Sequence, residues 1–519
     1  MHRRLLTFIV LILLGFILTL EFPAIAKTAA REPQLDDSSA LELALQGREK
    51  YDRGEWGLAA QLWQQAADAY ELQGDRDGFA KSLINKSQAL QDLGLYPKAC
   101  RTLLQALTRD KLPCDDATVD ELLLNAKSSD RNLEKVIGWR SLGNILRQQG
   151  KLERAEKALK LSWLLGKDTA EAGSILLSLG NVEKAQGDRT RYSWDYEKIT
   201  EIIERQSPQL ALEPYSLAID TYNRVYRIAT DPITKLKAEL NHLKMLLDAQ
   251  QWWQQETKRR IKAQLRLRET FLTRRATTFL SQLETKEKEQ VELLQSRIAE
   301  LLAELRPSHA GIYARINYAQ SLMELEKTRS VGSILNDALQ QARLLSDSRG
   351  EAYALGYLGK YYAARGDISR GISSTRQALN LAQEQNINGD AREISYLWQS
   401  QLGSLLVREG KQKEAIFAYL SAVNTLQSLR SDLNANDRIV QFDFRQEVRP
   451  VYLELVDLLL SSNLSAEELN ALIVLNPTLA QAKSGQKTPP QLELARRVIE
   501  SLQIAENMFL YVSSIYLTK

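Results

Sequence analysis

Histidine and cysteine are scarce in this chain of 519 residues, which contains 3 His and 2 Cys. Two cysteines cannot cross-link a chain of this length throughout, and alone they cannot supply the four ligands of a structural zinc site. The histidines at 2, 242 and 309 are far apart in the sequence and leave little material for acid–base catalysis. No H-E-x-x-H, C-x-x-C, G-x-S-x-G or phosphate-binding loop motif occurs. We therefore expect no catalytic residues, no metal site and no cofactor.

Glycine and proline are also infrequent, at 25 and 12 residues. Both counts are below the usual shares of about 7% and 5%, and few chain breakers favour helices over many short strands. The chain carries 68 basic and 65 acidic side chains and has a net charge of +3. With 44% hydrophobic residues it is typical of globular proteins, so wholesale disorder is excluded.

The first 26 residues have the form of a secretory signal peptide. A polar and basic start precedes an apolar run from 5 to 20, and small residues at 24 and 26 match a signal peptidase site. We expect cleavage after Ala26 and export to the periplasm or the exterior. The alternative is an uncleaved N-terminal membrane anchor, although Glu21 ends the apolar run before the ~20 residues that a span needs. Export would allow a disulfide between Cys100 and Cys114, and two free thiols fit the sequence equally well.

An internal repeat runs through the rest of the chain. A well-preserved copy contains Trp139, Leu142, Gly143, Leu146, Gly150, Ala155 and Leu159. Its apolar residues recur at i, i+3, i+4 and i+7, which is one face of a helix, and a glycine separates two such helices. These separating glycines are expected at Gly54, Gly94, Gly150, Gly187, Gly366 and Gly410. Two degenerate copies, one through Leu243 and Leu246 and one through Ile316 and Ala319, fill the gap before Gly366.

This pattern resembles the tetratricopeptide repeat. The resemblance implies an all-α, right-handed superhelical solenoid of about eight helix pairs with long loops. In such arrays the first helix of each pair lines the concave side, and positions 5, 9 and 12 of the unit point into it. By that register a polar, basic groove is formed by Arg140, Asn144, Arg147, Asn181 and Lys184. Such a groove suits a protein or peptide partner with acidic groups or a free carboxylate.

One segment inside the array departs from the repeat. It carries a single acid, Glu269, and a basic patch of eight residues: Lys258, Arg259, Arg260, Lys262, Arg266, Arg268, Arg274 and Arg275. We interpret the stretch around it as an extended, charged helical insertion. The patch would contact anionic lipid or an acidic partner, or it would simply be the solvated face of a long helix. Nucleic acid is not an expected partner of an exported protein, and only one aromatic residue, Phe271, is interleaved with the basic ones.

A closer resemblance covers roughly residues 35 to 506. The segments that carry it are Phe442-Asp443-Phe444-Arg445, Pro450-Val451-Tyr452, Leu455-Val456-Asp457-Leu458-Leu459 and Ala495-Arg496-x-Val498-Ile499-Glu500. They are similar to the N-terminal region of cyanobacterial CHAT-domain proteins, in which tetratricopeptide repeats precede a caspase-like domain. The resemblance implies that this catalytic domain would begin after Glu506. No His follows His309 and no Cys follows Cys114, so the family's catalytic pair has no position here.

The expected domain order is a signal peptide at 1–26, a tetratricopeptide array at 35–205, a degenerate unit with the charged insertion at 206–305, a second part of the array at 306–430, bridging helices at 431–506, and an apolar, β-prone tail at 507–519. We expect a non-catalytic, exported binding scaffold that is a truncated remnant of a CHAT-domain protein. The alternatives are the substrate-recognition half of a split CHAT-type cysteine peptidase, and a membrane-surface adaptor that uses segment 258–275. The sequence leaves the oligomeric state open.

Overall fold

The computed structural model describes residues 37–126, 132–265, 271–385, 392–432, 448–462, 464–465, 467–468 and 490–517. Within these ranges helices account for nearly all of the secondary structure and no strand is present. The expected all-α superhelical repeat is confirmed. The signal peptide at 1–26 and the segment Phe442-Asp443-Phe444-Arg445 lie outside the described residues.

The helices follow one another with short connections. Up to residue 212 they are α1 (Asp37–Asp52), α2 (Trp56–Gln73), α3 (Arg76–Asp92), α4 (Tyr96–Thr108), α5 (Asp116–Asn125), α6 (Leu133–Gln148), α7 (Leu152–Gly166), α8 (Ala172–Ser193), α9 (Tyr196–Glu204) and α10 (Pro208–Leu212). A short 3₁₀ helix, Glu213–Tyr215, is followed by α11 (Ser216–Ile228), α12 (Pro232–Leu265), α13 (Phe271–Glu304), α14 (His309–Glu324), α15 (Val331–Leu344), α16 (Ser348–Ala364), α17 (Ile368–Gln385), α18 (Arg392–Arg408), α19 (Gln412–Asp432), α20 (Arg449–Ser461) and α21 (Pro490–Leu517).

These helices pack as antiparallel pairs, and successive pairs stack. The pairs are α1–α2, α3–α4, α6–α7, α8–α11, α12–α13, α14–α15, α16–α17 and α18–α19, followed by α20–α21. The first helices of neighbouring pairs also touch one another, in the order α3, α6, α8, α12, α14, α16 and α18. This contact order creates one continuous wall of first helices.

Turn glycines produce the regular pairs. Gly54, Gly94, Gly150, Gly366 and Gly410 have φ between 69° and 86°, the left-handed region that glycine enters without the steric cost of a Cβ atom. Five of the six expected turns are therefore confirmed. Where the helices of a pair cross, small residues allow close approach: a Cβ atom on Gly143 would lie 3.2 Å from the carbonyl oxygen of Ala155.

The sixth expected turn, at Gly187, is wrong. Gly187 is buried in the middle of α8, and its pair is completed only by α11, after α9, α10 and the 3₁₀ helix. A Cβ atom on Gly187 would lie 2.5 Å from the carbonyl oxygen of Pro214. Glycine is needed here for packing against the 3₁₀ helix and not for a change of chain direction.

The degenerate unit α14–α15 has a turn without glycine. Glu326 takes the left-handed conformation there, with φ of 57°, and the backbone N–H of Lys327 donates to the carbonyl oxygen of Leu322. A left-handed non-glycine residue costs roughly 1–2 kcal/mol, which the closed hydrogen-bond pattern offsets. The missing turn glycine explains why the repeat pattern of this unit is weak in the sequence.

The pair α12–α13 is a long hairpin. Each of its helices has 34 residues, or about 50 Å of helix. Trp253 is fully buried in it, with its ring centre 5.0 Å from that of Phe279. The hairpin also buries ionisable side chains, among them Glu239, His242 and Glu287.

Successive turns of the superhelix touch each other. The rings of Tyr51, near the end of α1, and His309, at the start of α14, have centres 6.3 Å apart. The guanidinium carbon of Arg349 lies 4.0 Å from the ring centre of Trp56, and a Cβ atom on Gly54 would lie 3.0 Å from the Cβ of Arg349. We call this set the inter-turn contact; it brings together residues about 260 to 300 positions apart in the sequence.

Cys100 and Cys114 are joined by a disulfide, with Cα atoms 5.9 Å apart. The question that the sequence left open is thereby answered. The bond ties α4 to the segment before α5, and α5 itself is held by the Arg154 guanidinium, which binds the Asp116 and Asp120 carboxylates at 3.0 and 2.7 Å.

The C-terminal tail is helical. The sequence led us to expect a β-prone segment from 507, but α21 runs without a break from Pro490 to Leu517. Residues 498 and 502 of this helix are buried in a core shared with α19 and α20. Of the helices described, none combines the length and apolar character that a membrane span requires.

Candidate partner-binding groove

Three consecutive first helices carry the same polar pattern, at the positions that the repeat register predicts for the concave side. On α6 it is Arg140, Asn144 and Arg147, at i, i+4 and i+7, and these side chains share one helix face. On α12 it is Lys237, Asn241 and Lys244, at the same spacing. On α8, Asn181 and Lys184 occupy the last two positions of the pattern.

The asparagines of this pattern form a row across the stacked helices. The side-chain Nδ2 of Asn241 donates to Oδ1 of Asn181 over 2.8 Å, and the same oxygen accepts from the Tyr222 hydroxyl over 2.9 Å. On α14 the residue six positions before the turn residue Glu326, as Asn144 is before Gly150, is Gln320; Asn144 and Gln320 are both half-buried. We call Asn144, Asn181, Asn241 and their glutamine counterpart Gln320 the asparagine row. The side-chain amides of Asn144 and Gln320 hydrogen-bond to no described residue.

Arg147 is a cation without a counterion among the described residues. Its Nε atom is buried and has no hydrogen-bond partner, and its guanidinium forms no ion pair within the described ranges. Burial lowers the pKa of this guanidinium. The nearby ring hydroxyls of Tyr222 and Tyr96 are the groups that act on it electrostatically. An anionic group brought to this position would gain a strong charge-assisted hydrogen bond.

Lys237, at the first position of the pattern on α12, also forms no ion pair within the described ranges. The residue is exposed, yet desolvation by the surrounding protein lowers the pKa of its ammonium group, against the opposite effect of the Asp92 carboxylate. Arg140, which lies close enough to repel it, is itself paired with Glu171 at 3.2 Å. Burial also lowers the pKa of Arg140.

Lys184 is placed differently from the expectation of a free groove cation. Its Nζ lies 2.8 Å from Asp188 and 3.9 Å from Asp248. Lys244 binds the same Asp248 at 2.8 Å and Glu324 at 2.9 Å. These residues form an alternating chain of charges from α8 through α12 to α14, and they leave little net charge in this part of the groove.

Sequence reasoning missed Lys237, Asn241 and Gln320. The register was set by turn glycines, and neither α12–α13 nor α14–α15 has a glycine at its turn. The i, i+4, i+7 spacing that identified the residues of α6 is also present at 237, 241 and 244, and it was the available signal.

The basic patch is divided in the structure. Lys258, Arg259, Lys262 and Arg274 are exposed, whereas Arg266 and Arg268 lie outside the described residues. Arg260 is buried: its guanidinium lies 3.0 Å from Glu256, 2.9 Å from the Thr200 hydroxyl and 4.3 Å from the Tyr196 ring centre. Arg275 donates to the carbonyl oxygen of Glu204 over 3.3 Å. These two arginines dock the hairpin on α9.

In the described part of the chain, no three His, Cys, Asp or Glu side chains lie close enough together to bind a metal ion. His242 is buried, with Nε2 at 2.8 Å from the Gln290 amide and its ring stacked on Tyr222. His309 Nδ1 lies 2.5 Å from the buried Asp347. Both histidines are part of the packing between helices.

No protein-family model matches the chain, and no curated protein matches it. Among solved structures it is similar to a Rap protein complexed with competence and sporulation factor, with 13% identity and a TM-score of 0.36 over 92% of this chain and 99% of that one. It is also similar to a signal-transduction ATPase with a tetratricopeptide repeat sensor from Pyrococcus horikoshii, with 12% identity and a TM-score of 0.33 over 89% and 74% of the two chains. The tetratricopeptide domain of P58(IPK) matches with 11% identity and a TM-score of 0.21 over 90% and 99%. Because these sequence identities and TM-scores are low, the assignment of the architecture rests on the helices of this chain and not on the similar structures.

Proposed function

We propose that this protein is a scaffold that binds an extended segment of a partner protein along the asparagine row. The observation that carries the proposal is the repetition of a side-chain carboxamide at one register position of α6, α8, α12 and α14, as Asn, Asn, Asn and Gln. A carboxamide offers both a donor and an acceptor, so it can pair with the N–H and C=O groups of a peptide backbone whatever the side chain. Such a row would bind an extended peptide largely independently of its side-chain sequence.

The spacing of the row suits an extended peptide. Packed helices lie about 8–10 Å apart, and an extended chain advances about 3.3 Å per residue. Each helix of the row would therefore meet the backbone of roughly every third residue, and Asn181 and Asn241, which bond to each other, would offer their remaining amide groups. Arg147 and Lys237 would add a preference for acidic side chains or a terminal carboxylate, because neither forms an ion pair within the described ranges.

The cellular setting is a further part of the proposal. The leader at 1–26 supports export, and the resemblance to CHAT-domain proteins supports the role of a binding region without its own catalysis. A split arrangement, in which a separate chain supplies the caspase-like domain, would use the same groove for substrate recognition. An adaptor at an anionic membrane would use the exposed basic side chains of the hairpin, such as Lys258, Lys262 and Arg274.

A display library of random peptides, selected on residues 27–519, tests the proposal. We expect selected peptides to bind the Asn144→Ala/Gln320→Ala variant at least ~10-fold more weakly, since two backbone contacts are lost. The matched control is Asn336→Ala/Asn380→Ala, which removes two exposed asparagines from the second helices α15 and α17. Unchanged affinity of the groove variant, with the fold intact by circular dichroism, would refute the proposal.

The backbone contacts can be located with an N-methyl scan of one selected peptide. Each N-methyl group removes one backbone donor, so affinity should fall at about every third position if the row binds as described. A uniform effect along the peptide, or an effect confined to its side chains, would contradict backbone recognition. Arg147→Gln should weaken acidic peptides more than neutral ones, whereas Arg329→Gln on the outside should weaken neither.

A further inference from the structure

A second polar site lies away from the groove, between the second helices α11 and α13. It is a cavity of 410 Å³ lined by Asp220, Asn223, Arg224, Tyr226, Arg227 and Arg297. The residues at 220, 223, 224 and 227 are spaced i, i+3, i+4 and i+7, so they share one face of α11. Arg297 reaches the cavity from α13. We call this site the arginine cavity, and its volume is in the range of small-molecule sites.

Packing against an aromatic ring positions the Arg297 guanidinium. Its Cζ lies 4.3 Å from the ring centre of Tyr226, within the range of a cation–π interaction. The Nζ of Lys235 lies 5.8 Å from the same ring centre and adds positive charge beside the cavity. The side chain of Arg297 is 26% exposed, so part of its guanidinium can contact a ligand.

The arginines of the cavity are poorly neutralised by the protein. Arg297 Nη1 lies 3.5 Å from Oε2 of the fully buried Glu239, which is long for a charge-assisted hydrogen bond. Burial raises the pKa of Glu239 to about 7, so this carboxyl group is neutral in a large fraction of molecules at neutral pH. Arg224 and Arg227 form no ion pair with any described carboxylate. Glu183, the acid that acts on Arg224, also has its pKa raised by burial.

The charge of the lining identifies the ligand class. Three arginines and one aspartate line the cavity, which leaves an excess of two positive charges. A dianion balances this excess, whereas a single carboxylate or sulfate monoester leaves one charge uncompensated. Guanidinium groups also bind tetrahedral oxyanions in a bidentate manner. We propose that the arginine cavity binds a small organic phosphate monoester, with the phosphoryl group between Arg224, Arg227 and Arg297.

Isothermal titration calorimetry on the full chain tests the charge argument with phenyl phosphate and its monoanionic isostere phenyl sulfate. We expect phenyl phosphate to bind roughly 10-fold more tightly, because the second negative charge meets a second unpaired guanidinium. Inorganic phosphate should bind more weakly than phenyl phosphate, since it leaves most of the cavity empty. Equal affinity for phosphate and sulfate monoesters, or no binding of either, would overturn the proposal.

Substitution of the lining arginines tests whether phenyl phosphate binds in this cavity. Arg224→Gln/Arg227→Gln should weaken phenyl phosphate at least ~10-fold, and Arg297→Lys should weaken it less than Arg297→Gln because it keeps the charge and loses the fork. The matched control is Arg329→Gln/Arg376→Gln, which removes two exposed arginines elsewhere and changes the net charge equally. A similar loss in this control would show nonspecific attraction and would refute the site.

A lipid headgroup could supply the same phosphoryl chemistry. Sedimentation with vesicles containing phosphatidic acid separates the two sources. We expect no cosedimentation that depends on Arg297. If Arg297→Gln abolished vesicle binding while soluble phenyl phosphate did not bind, the small-molecule assignment would be wrong.

Discussion

The regular pair α16–α17 and the long hairpin α12–α13 share one topology but are packed in different ways. In α16–α17 the backbones approach closely, and a Cβ atom on Gly359 would lie 2.9 Å from the carbonyl oxygen of Gly371. The buried Thr375 hydroxyl beside them donates to that carbonyl over 2.8 Å. In α12–α13 large side chains such as Trp253 separate the helices, and ionisable groups are enclosed among them. Closely packed helices require glycines at fixed positions, which can be recognised in the sequence. A hairpin with more widely separated helices can bury ionisable side chains between them.

The enclosed charges of the hairpin make its stability dependent on pH. Both carboxylate oxygens of Glu287 are buried without a partner, and burial, assisted by the nearby Glu284, raises the pKa of Glu287 to about 8. Burial raises the pKa of Glu239 to about 7 and lowers the pKa of His242 to about 4. In the unfolded chain these groups would titrate near the ordinary values of about 4.3 for Glu and 6.5 for His.

The largest difference in stability between the two helix pairs is expected for a substitution at Trp253. Trp253→Ala removes a fully buried ring from the hairpin, and we expect a loss of about 3–5 kcal/mol of local stability from lost burial and the remaining cavity. Hydrogen exchange should show faster opening of α12 and α13 with little change in α16 and α17. Trp252→Ala, at a half-buried neighbour, is the control and should cost clearly less. An equal loss of protection in α16–α17 would show that the two pairs open as one unit.

The next largest effect is the pH dependence of the hairpin. A raised carboxyl pKa means that the folded state holds its proton while the unfolded state loses it, so this stability is complete below about pH 4 and declines as the pH rises towards 8. His242 has the opposite sign, but its contribution is already constant above about pH 6.5. We expect protection of α12–α13 to fall by about 2 kcal/mol between pH 6.5 and 8, where the His242 contribution is constant, while that of α16–α17 stays constant.

Glu287→Gln isolates the source of this dependence. The amide keeps the shape of the neutral carboxyl group and does not titrate, so the fall between pH 6.5 and 8 should shrink by about half or more. The matched control is Glu289→Gln, at an exposed position of the same helix, which should leave the pH profile unchanged. An unaltered profile in Glu287→Gln would exclude this residue as the titrating group.

The smallest effect is expected in the regular pair. Gly359→Ala places a methyl group against the Gly371 carbonyl, and we expect a loss of about 1–2 kcal/mol from overpacking, although alanine favours helices. Thermal unfolding followed by circular dichroism measures this loss. Ala354→Gly, at a fully buried position of the same helix, would lose helix propensity without overpacking and separates the two causes. No change in Gly359→Ala would mean that the crossing can widen freely.

Local chemistry decides which of these features the sequence reveals. The glycine turns and the i, i+4, i+7 faces were predictable because each depends on a few neighbouring residues. Gly187 was misinterpreted, since a buried packing glycine and a turn glycine are identical in sequence. The turn at Glu326 was missed because a left-handed glutamate has no pattern of its own.

Long-range contacts were beyond the sequence argument for a different reason. Burial of Arg260 beside Tyr196 depends on the docking of helices more than 60 residues apart in the chain. The pairing of Asn181 with Asn241 depends on the same kind of contact. The asparagine row was therefore only partly predicted, at Asn144 and Asn181, and the arginine cavity was not predicted at all.

The inter-turn contact has a kinetic consequence for partner entry. Where Tyr51 meets His309 and Trp56 meets Arg349, the wall is closed between successive turns. A partner segment must then reach the asparagine row by threading along the superhelix axis, or wait until the contact opens. A linear peptide with a free end should associate faster than the same sequence closed into a ring, even where their equilibrium contacts are alike.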